Sequence, residues 1–172
     1  THGHPLTQDW PDHVPEDPSP DDLDDLTLHL QRKFAERYMM VLAAEGCANL
    51  LACVPSLSVW DDHDICDGWG SLPESRTASA VGQTLFRVAR QMYLLFQHGA
   101  TEADVPALFT DPTGSALGWR RDLPGVTLFA PDLRSERHRH RIMGEAGWKA
   151  MDALQPMGDH VFELPPENRT VT

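Results

Sequence analysis

At 172 residues, with 41% apolar and 23% charged residues, the chain has an ordinary globular composition and enough length to bury a core. Its 26 acidic residues outnumber 14 basic ones, and the net charge of −12 opposes binding to nucleic acid or to an anionic membrane surface. No run approaches the roughly 20 apolar residues that span a bilayer, and three cysteines without CxxC spacing do not make a disulfide framework.

Residues 1–20 are polar and rich in Pro, Asp and His, and are expected to form an extended arm. His2, His4 and His13 lie there beside Asp9, Asp12 and Glu16, with nothing in the sequence to fix their geometry. Ser19 then offers an N-cap, Pro20 suits the first helical position, and Asp21 and Asp22 favour the positive end of a helix dipole. Leu23, Leu26, Leu30, Phe34, Tyr38 and Val41 recur at spacings of three and four, which predicts a helix to about Glu45. A second apolar stretch covers Ala48 to Cys53 before Pro55.

Leu57-Ser58-Val59-Trp60 has the pattern of a short strand, delivering the next residues on the loop at its C-terminal end. Gly68, Gly70 and Pro73 forbid regular structure after it. Residues 77–98 predict another helix, with Val81, Leu85, Val88, Met92 and Leu95 on one face and Gly99 beyond its end. Trp119 to Leu123 and Val126 to Phe129 flank Pro124-Gly125 and predict a hairpin. A charged segment, Asp132 to Arg141, and a short helix over Gly144 to Leu154 complete the pattern. The expected organisation is an arm over 1–20, a domain over 21–160 and an irregular tail over 161–172. The fold class is α/β, with α+β as the alternative.

The loop Trp60-Asp61-Asp62-His63-Asp64-Ile65-Cys66-Asp67-Gly68-Trp69-Gly70-Ser71 packs four carboxylates and an imidazole into seven positions. Like charges this close repel unless a cation, a partner or water offsets them. Carboxylate oxygens with one imidazole suit hard or borderline divalent cations. A calcium EF-hand fails on spacing: with Gly68 at the sixth loop position, His63 and Ile65 fall where carboxylates are required. Cys66 is placed to ligate a soft metal or simply to pack. HExxH, Walker A and GxSxG motifs are absent from the sequence.

Val54 to Val59 followed by Trp60 to Ser71 resembles the segment of PhoD-like metallophosphatases, in the calcineurin-like metallophosphoesterase superfamily, that carries a Trp-Asp-Asp-His-Asp/Glu signature. Phe34 and Tyr38, Phe86 to Arg90, Leu94 to Gln97 and Asp132 to Arg137 are similar to that family in the same order, covering about residues 25 to 155. The resemblance implies a partial sheet with flanking helices, drawn from a two-sheet sandwich. It also implies hydrolysis of phosphomonoesters or phosphodiesters by a metal-bound hydroxide. Asp62 matches a metal ligand, and His63 matches the histidine that faces the phosphate or the leaving oxygen. Asp61 and Asp64 are secondary metal candidates or, with Asp67, residues that orient the loop. Arg134 and Arg137 are candidates for the substrate phosphate, with pairing to Asp132 or Glu136 as the alternative.

The cofactors implied are divalent or mixed metal ions, with Fe, Ca, Mn and Zn all open. The family's other ligand motifs, an early Asp, a Gly-Asp and late histidines, are not found. Gly158-Asp159-His160 is read as a chance loop sequence. The chain is therefore expected to be an internal fragment of a hydrolase, nearly inactive alone, with its flanking segments as missing partners. A non-catalytic metal-binding or partner-binding fragment is the rival reading. Localisation stays open, with free thiols favouring the cytoplasm.

Overall fold

The computed structural model describes residues 14–154, which fall into two compact units. One comprises residues 14–58 with Pro73–Gly99, and the other Val59–Leu72 with residues 100–154. Helices dominate, and the sheet among the described residues is a two-stranded antiparallel ladder. This is the helix-rich mixed fold expected. The residues 1–13, with their histidines, and Gly158-Asp159-His160 lie outside the described residues.

The first unit is built on helix α1 (Pro20–Leu42) and helix α4 (Ala80–Tyr93), with α2 (Glu45–Cys53) and α3 (Glu74–Thr77) between them in sequence. Ser19 caps α1 as its residue type predicts: Asp22 N–H donates to Ser19 Oγ, and Ser19 N–H donates back to the Asp22 carboxylate at 2.8 Å. The apolar stripe of α1 buries Leu26 and Leu30, then runs out of cover, leaving Met39, Met40 and Val41 exposed. Tyr38 stacks on Phe96 with ring centroids 4.9 Å apart.

On α4, Val81, Leu85 and Val88 are buried as the periodicity requires, but the face then shifts. A π turn over Leu94–His98 follows, with Tyr93 and Leu94 buried and Leu95 exposed. Gly99, at φ +59°, ends the helix.

The strand expected over Leu57 to Trp60 is a correction. Its burial alternates up to buried Trp60, yet the segment joins no ladder among the described residues. A strand needs a neighbour for its N–H and C=O groups. Here Ser58 is tied by side chains, its carbonyl accepting from Tyr93 Oη at 3.1 Å and its Oγ bonding Gln97 Oε1 at 2.9 Å.

The second unit contains α5 (Val105–Leu108), the hairpin β1 (Trp119–Leu123) and β2 (Val126–Ala130), and α6 (Glu145–Asp152). Register pairs Leu123 with Val126 and Trp119 with Ala130, so the loop is Pro124-Gly125, with Gly125 at φ +80° as a type II turn requires. Trp60, Ile65, Trp69, Val105, Phe109, Leu117, Trp119 and Met143 form its core. Three of these belong to the acidic loop, which is thereby built into the unit by its apolar members.

Candidate metal centre

The acidic loop takes its shape from its own side chains. Asp62–Asp64 forms a single 3-10 turn, capped at its N-terminal end by two carboxylates. Asp61 Oδ1 accepts from Asp62 N–H at 2.7 Å, and Asp64 Oδ2 accepts from Asp61 N–H at 2.8 Å. Asp62 Oδ2 accepts from Gly68 N–H at 2.8 Å and closes the loop six residues on. Two carboxylates thus hold the turn, and a third holds the loop.

The turn throws His63 outward and brings it back over Asp67, with Nε2 3.5 Å from Asp67 Oδ1. One donor atom each from Asp62, His63 and Asp67 lies within 4.8 Å of the others. Asp62 is largely covered, with 20% of its side chain exposed, whereas His63 and Asp67 face solvent. Asp61 and Asp64 cap the turn, and Asp67 lies beside Asp62 and His63.

A second segment, some 70 residues on, lies against the loop. Arg134 Nη2 donates to Asp61 Oδ1 at 2.6 Å and lies 3.5 Å from Asp62 Oδ1. The Arg137 stem lies over Gly70, which has φ +93° and where a Cβ would stand 2.7 Å from Arg137 Cδ. Arg139 Nε donates to the Ser71 carbonyl at 3.0 Å. Three arginines of one basic segment thus lie along one acidic loop. Arg137 forms no ion pair or hydrogen bond among the described residues, whereas Arg141 turns to Glu136.

Beneath them lies Asp132, only 4% exposed. Its Oδ1 accepts from Trp60 Nε1 at 2.9 Å, Arg134 N–H at 2.8 Å and Ser135 N–H at 3.0 Å. Its Oδ2 accepts from Leu117 N–H at 2.6 Å and from Ser135 Oγ. From the sequence, Asp132 stands out only as an ion-pair partner for the arginines. Its local bonds to Arg134 and Ser135 form an Asx turn, a signal the sequence carries, but its bonds to Trp60 and Leu117 are long-range.

The electrostatics follow the geometry. Asp61 is held down at about 2 by hydrogen bonding with the Asp62 side chain first, then by the Asp62 N–H and the Arg134 guanidinium. Burial pushes the Cys66 thiol up to about 11, reinforced by the Asp67 and Asp62 charges. Two carboxylates and one imidazole suit manganese, iron or zinc by donor type, and they supply only part of a coordination shell. The donor set fits a divalent cation.

No helix among the described residues is long and apolar enough to cross a membrane. In sequence, the chain is 32% identical over 116 residues to the uncharacterized protein YGR266W of Saccharomyces cerevisiae, a match covering 57% of this chain and 16% of that relative. No solved structure matches it. The profile of the family described as PhoD related phosphatase matches residues 33–167, which include the acidic loop and the basic segment. The chain belongs to the PhoD-related phosphatase family.

Proposed function

We propose that the Trp60–Ser71 loop is the cation- and phosphate-facing part of a metal-dependent phosphoesterase acting on phosphomonoesters or phosphodiesters. Family membership supports a phosphoesterase as the parent activity. The observation that carries the metal reading is the convergence of Asp62, His63 and Asp67 donor atoms within 4.8 Å.

In this reading Asp62 and Asp67 hold the cation through their carboxylates. A bound divalent ion polarises a phosphoryl oxygen and lowers the pKa of its water from about 15.7 towards roughly 7. His63, the third donor of the cluster with Nε2 3.5 Å from Asp67, faces the phosphate and stabilises the charge that develops there. Arg134 neutralises Asp61 and Asp62, which lets so many carboxylates coexist before a cation arrives. Arg137, without an anionic partner among the described residues, meets the phosphate. The remaining ligands come from elsewhere in the parent protein.

Calorimetric titration with manganese, calcium and zinc tests the cation part. Heat that disappears in Asp62→Asn supports it, and no heat at millimolar metal leaves the partner-binding reading. A chromogenic phosphodiester with added divalent ions tests the catalytic part. The chain alone is expected to turn over barely at all. Robust, metal-dependent turnover lost in His63→Ala would overturn the claim that the site is shared with other segments.

A further inference from the structure

We infer that Asp132 is the positioning residue of this site, aiming the Arg134 guanidinium at Asp61 and Asp62 from beneath the loop. The inference rests on the reading of the loop as a cation site. Its basis is a closed ring of bonds. Asp132 Oδ1 holds the indole of Trp60, the residue before Asp61, and also the backbone N–H of Arg134. Arg134 Nη2 then bonds Asp61 and closes the ring.

Both ends of the Arg134–Asp61 pair are therefore fixed by one carboxylate. That carboxylate accepts from five donors, more than its roughly four lone-pair directions. It has no acceptor capacity left to ligate a cation, so any effect it has on the site passes through Trp60 and Arg134. Leu117 N–H adds a third chain segment, which ties the ring to the approach of the hairpin.

An amide cannot replace it. In Asp132→Asn, whichever way the new side chain turns, its NH2 faces at least one backbone N–H that the carboxylate now accepts. Orientation is what a mobile guanidinium needs beside two carboxylates: with Arg134 displaced, Asp61 and Asp62 repel and Asp62 leaves the position that faces Asp67.

The test uses the whole 172-residue chain and Mn2+ alone as probe. Mn2+ affinity, from water-proton relaxation, and exchange of the Arg134 Nε–H, from NMR, are measured in wild type, Asp132→Asn, Arg134→Gln and the double variant. Asp132→Asn is expected to weaken Mn2+ binding about 10-fold or more, with the double variant no weaker than Arg134→Gln alone. Its Arg134 Nε–H is expected to exchange about 10-fold faster or more, since that nitrogen is buried in the native arrangement.

Wild-type affinity and exchange in a folded Asp132→Asn protein would overturn the inference, as would additive losses. If Asp132→Asn does not fold, Trp60→Phe removes one donor while keeping the carboxylate, and the same two shifts, smaller, are expected. If wild type takes up no Mn2+, the cation reading falls, and Arg134 exchange alone then decides the role of Asp132.

Discussion

The helical unit coheres by apolar packing, whereas the loop-bearing unit adds a buried carboxylate hub to its apolar core. Along α1, α4 and the π turn after it, apolar side chains share the work: Leu26, Leu30, Val81, Leu85, Val88 and Leu94 each contribute a modest part. In the loop-bearing unit, one buried carboxylate joins Trp60, Leu117 and the Arg134–Ser135 turn. Distributed packing tolerates single losses. A hub does not, because removing its anion strands several buried donors at once.

Substitutions put numbers on that contrast. Asp132→Ala should cost about 4 kcal/mol or more in urea unfolding, since hydrogen bonds to a charged group contribute about 1.5–3 kcal/mol each and leave unpaired donors behind. Leu94→Ala, fully buried in the helical unit, should cost about 3 kcal/mol. A larger loss for Leu94→Ala than for Asp132→Ala would break the comparison.

Gly70→Ala forces a residue with a Cβ to φ +93° and pushes into the Arg137 stem, for about 2 kcal/mol. Circular dichroism melts would show the drop. Ser19→Ala removes the cap of α1 and should cost about 1 kcal/mol.

The smallest effect concerns pH. Asp61 has a folded-state value of about 2, below its ordinary 3.8. Its contribution is therefore fully present above about pH 4 and is lost as pH falls through about 2. Asp61 is more than half exposed, so salt screens much of it. The difference in urea midpoint between wild type and Asp61→Asn should narrow between about pH 5 and about pH 2. A difference that stays constant over that range would show Arg134 and Asp62 do not hold the Asp61 charge.

What was legible in the sequence was local. Ser19 with Asp22, the stripe Leu26–Leu30, and Pro124-Gly125 each act within a few residues, and each gave the element it predicts. The shift at Leu94 was hidden, because a π turn changes which residue faces inward without changing composition. The Leu57 to Trp60 segment had the alternation of a strand, but pairing depends on a partner the segment itself does not encode.

The acidic loop was conspicuous, and its resemblance located it in a family. The residue pattern left Asp61 and Asp64 open between metal ligands and loop-orienting residues, because which carboxylate caps depends on a turn set by backbone bonds. Nor could spacing show that Arg134, Arg137 and Arg139 lie along that loop, 73 residues separating Asp61 from Arg134 and 68 separating Ser71 from Arg139.

The central claim is that Asp62, His63 and Asp67 form the cation-facing cluster. Substoichiometric Mn2+ added to isotope-labelled protein tests it site by site, through paramagnetic broadening of carboxyl and imidazole resonances. The account predicts that the Asp62 and Asp67 carboxyls and the His63 ring broaden first, ahead of Asp64 and of the first-turn Asp21 and Asp22. Broadening spread evenly over the acidic residues, or strongest outside the Trp60–Ser71 loop, would contradict it.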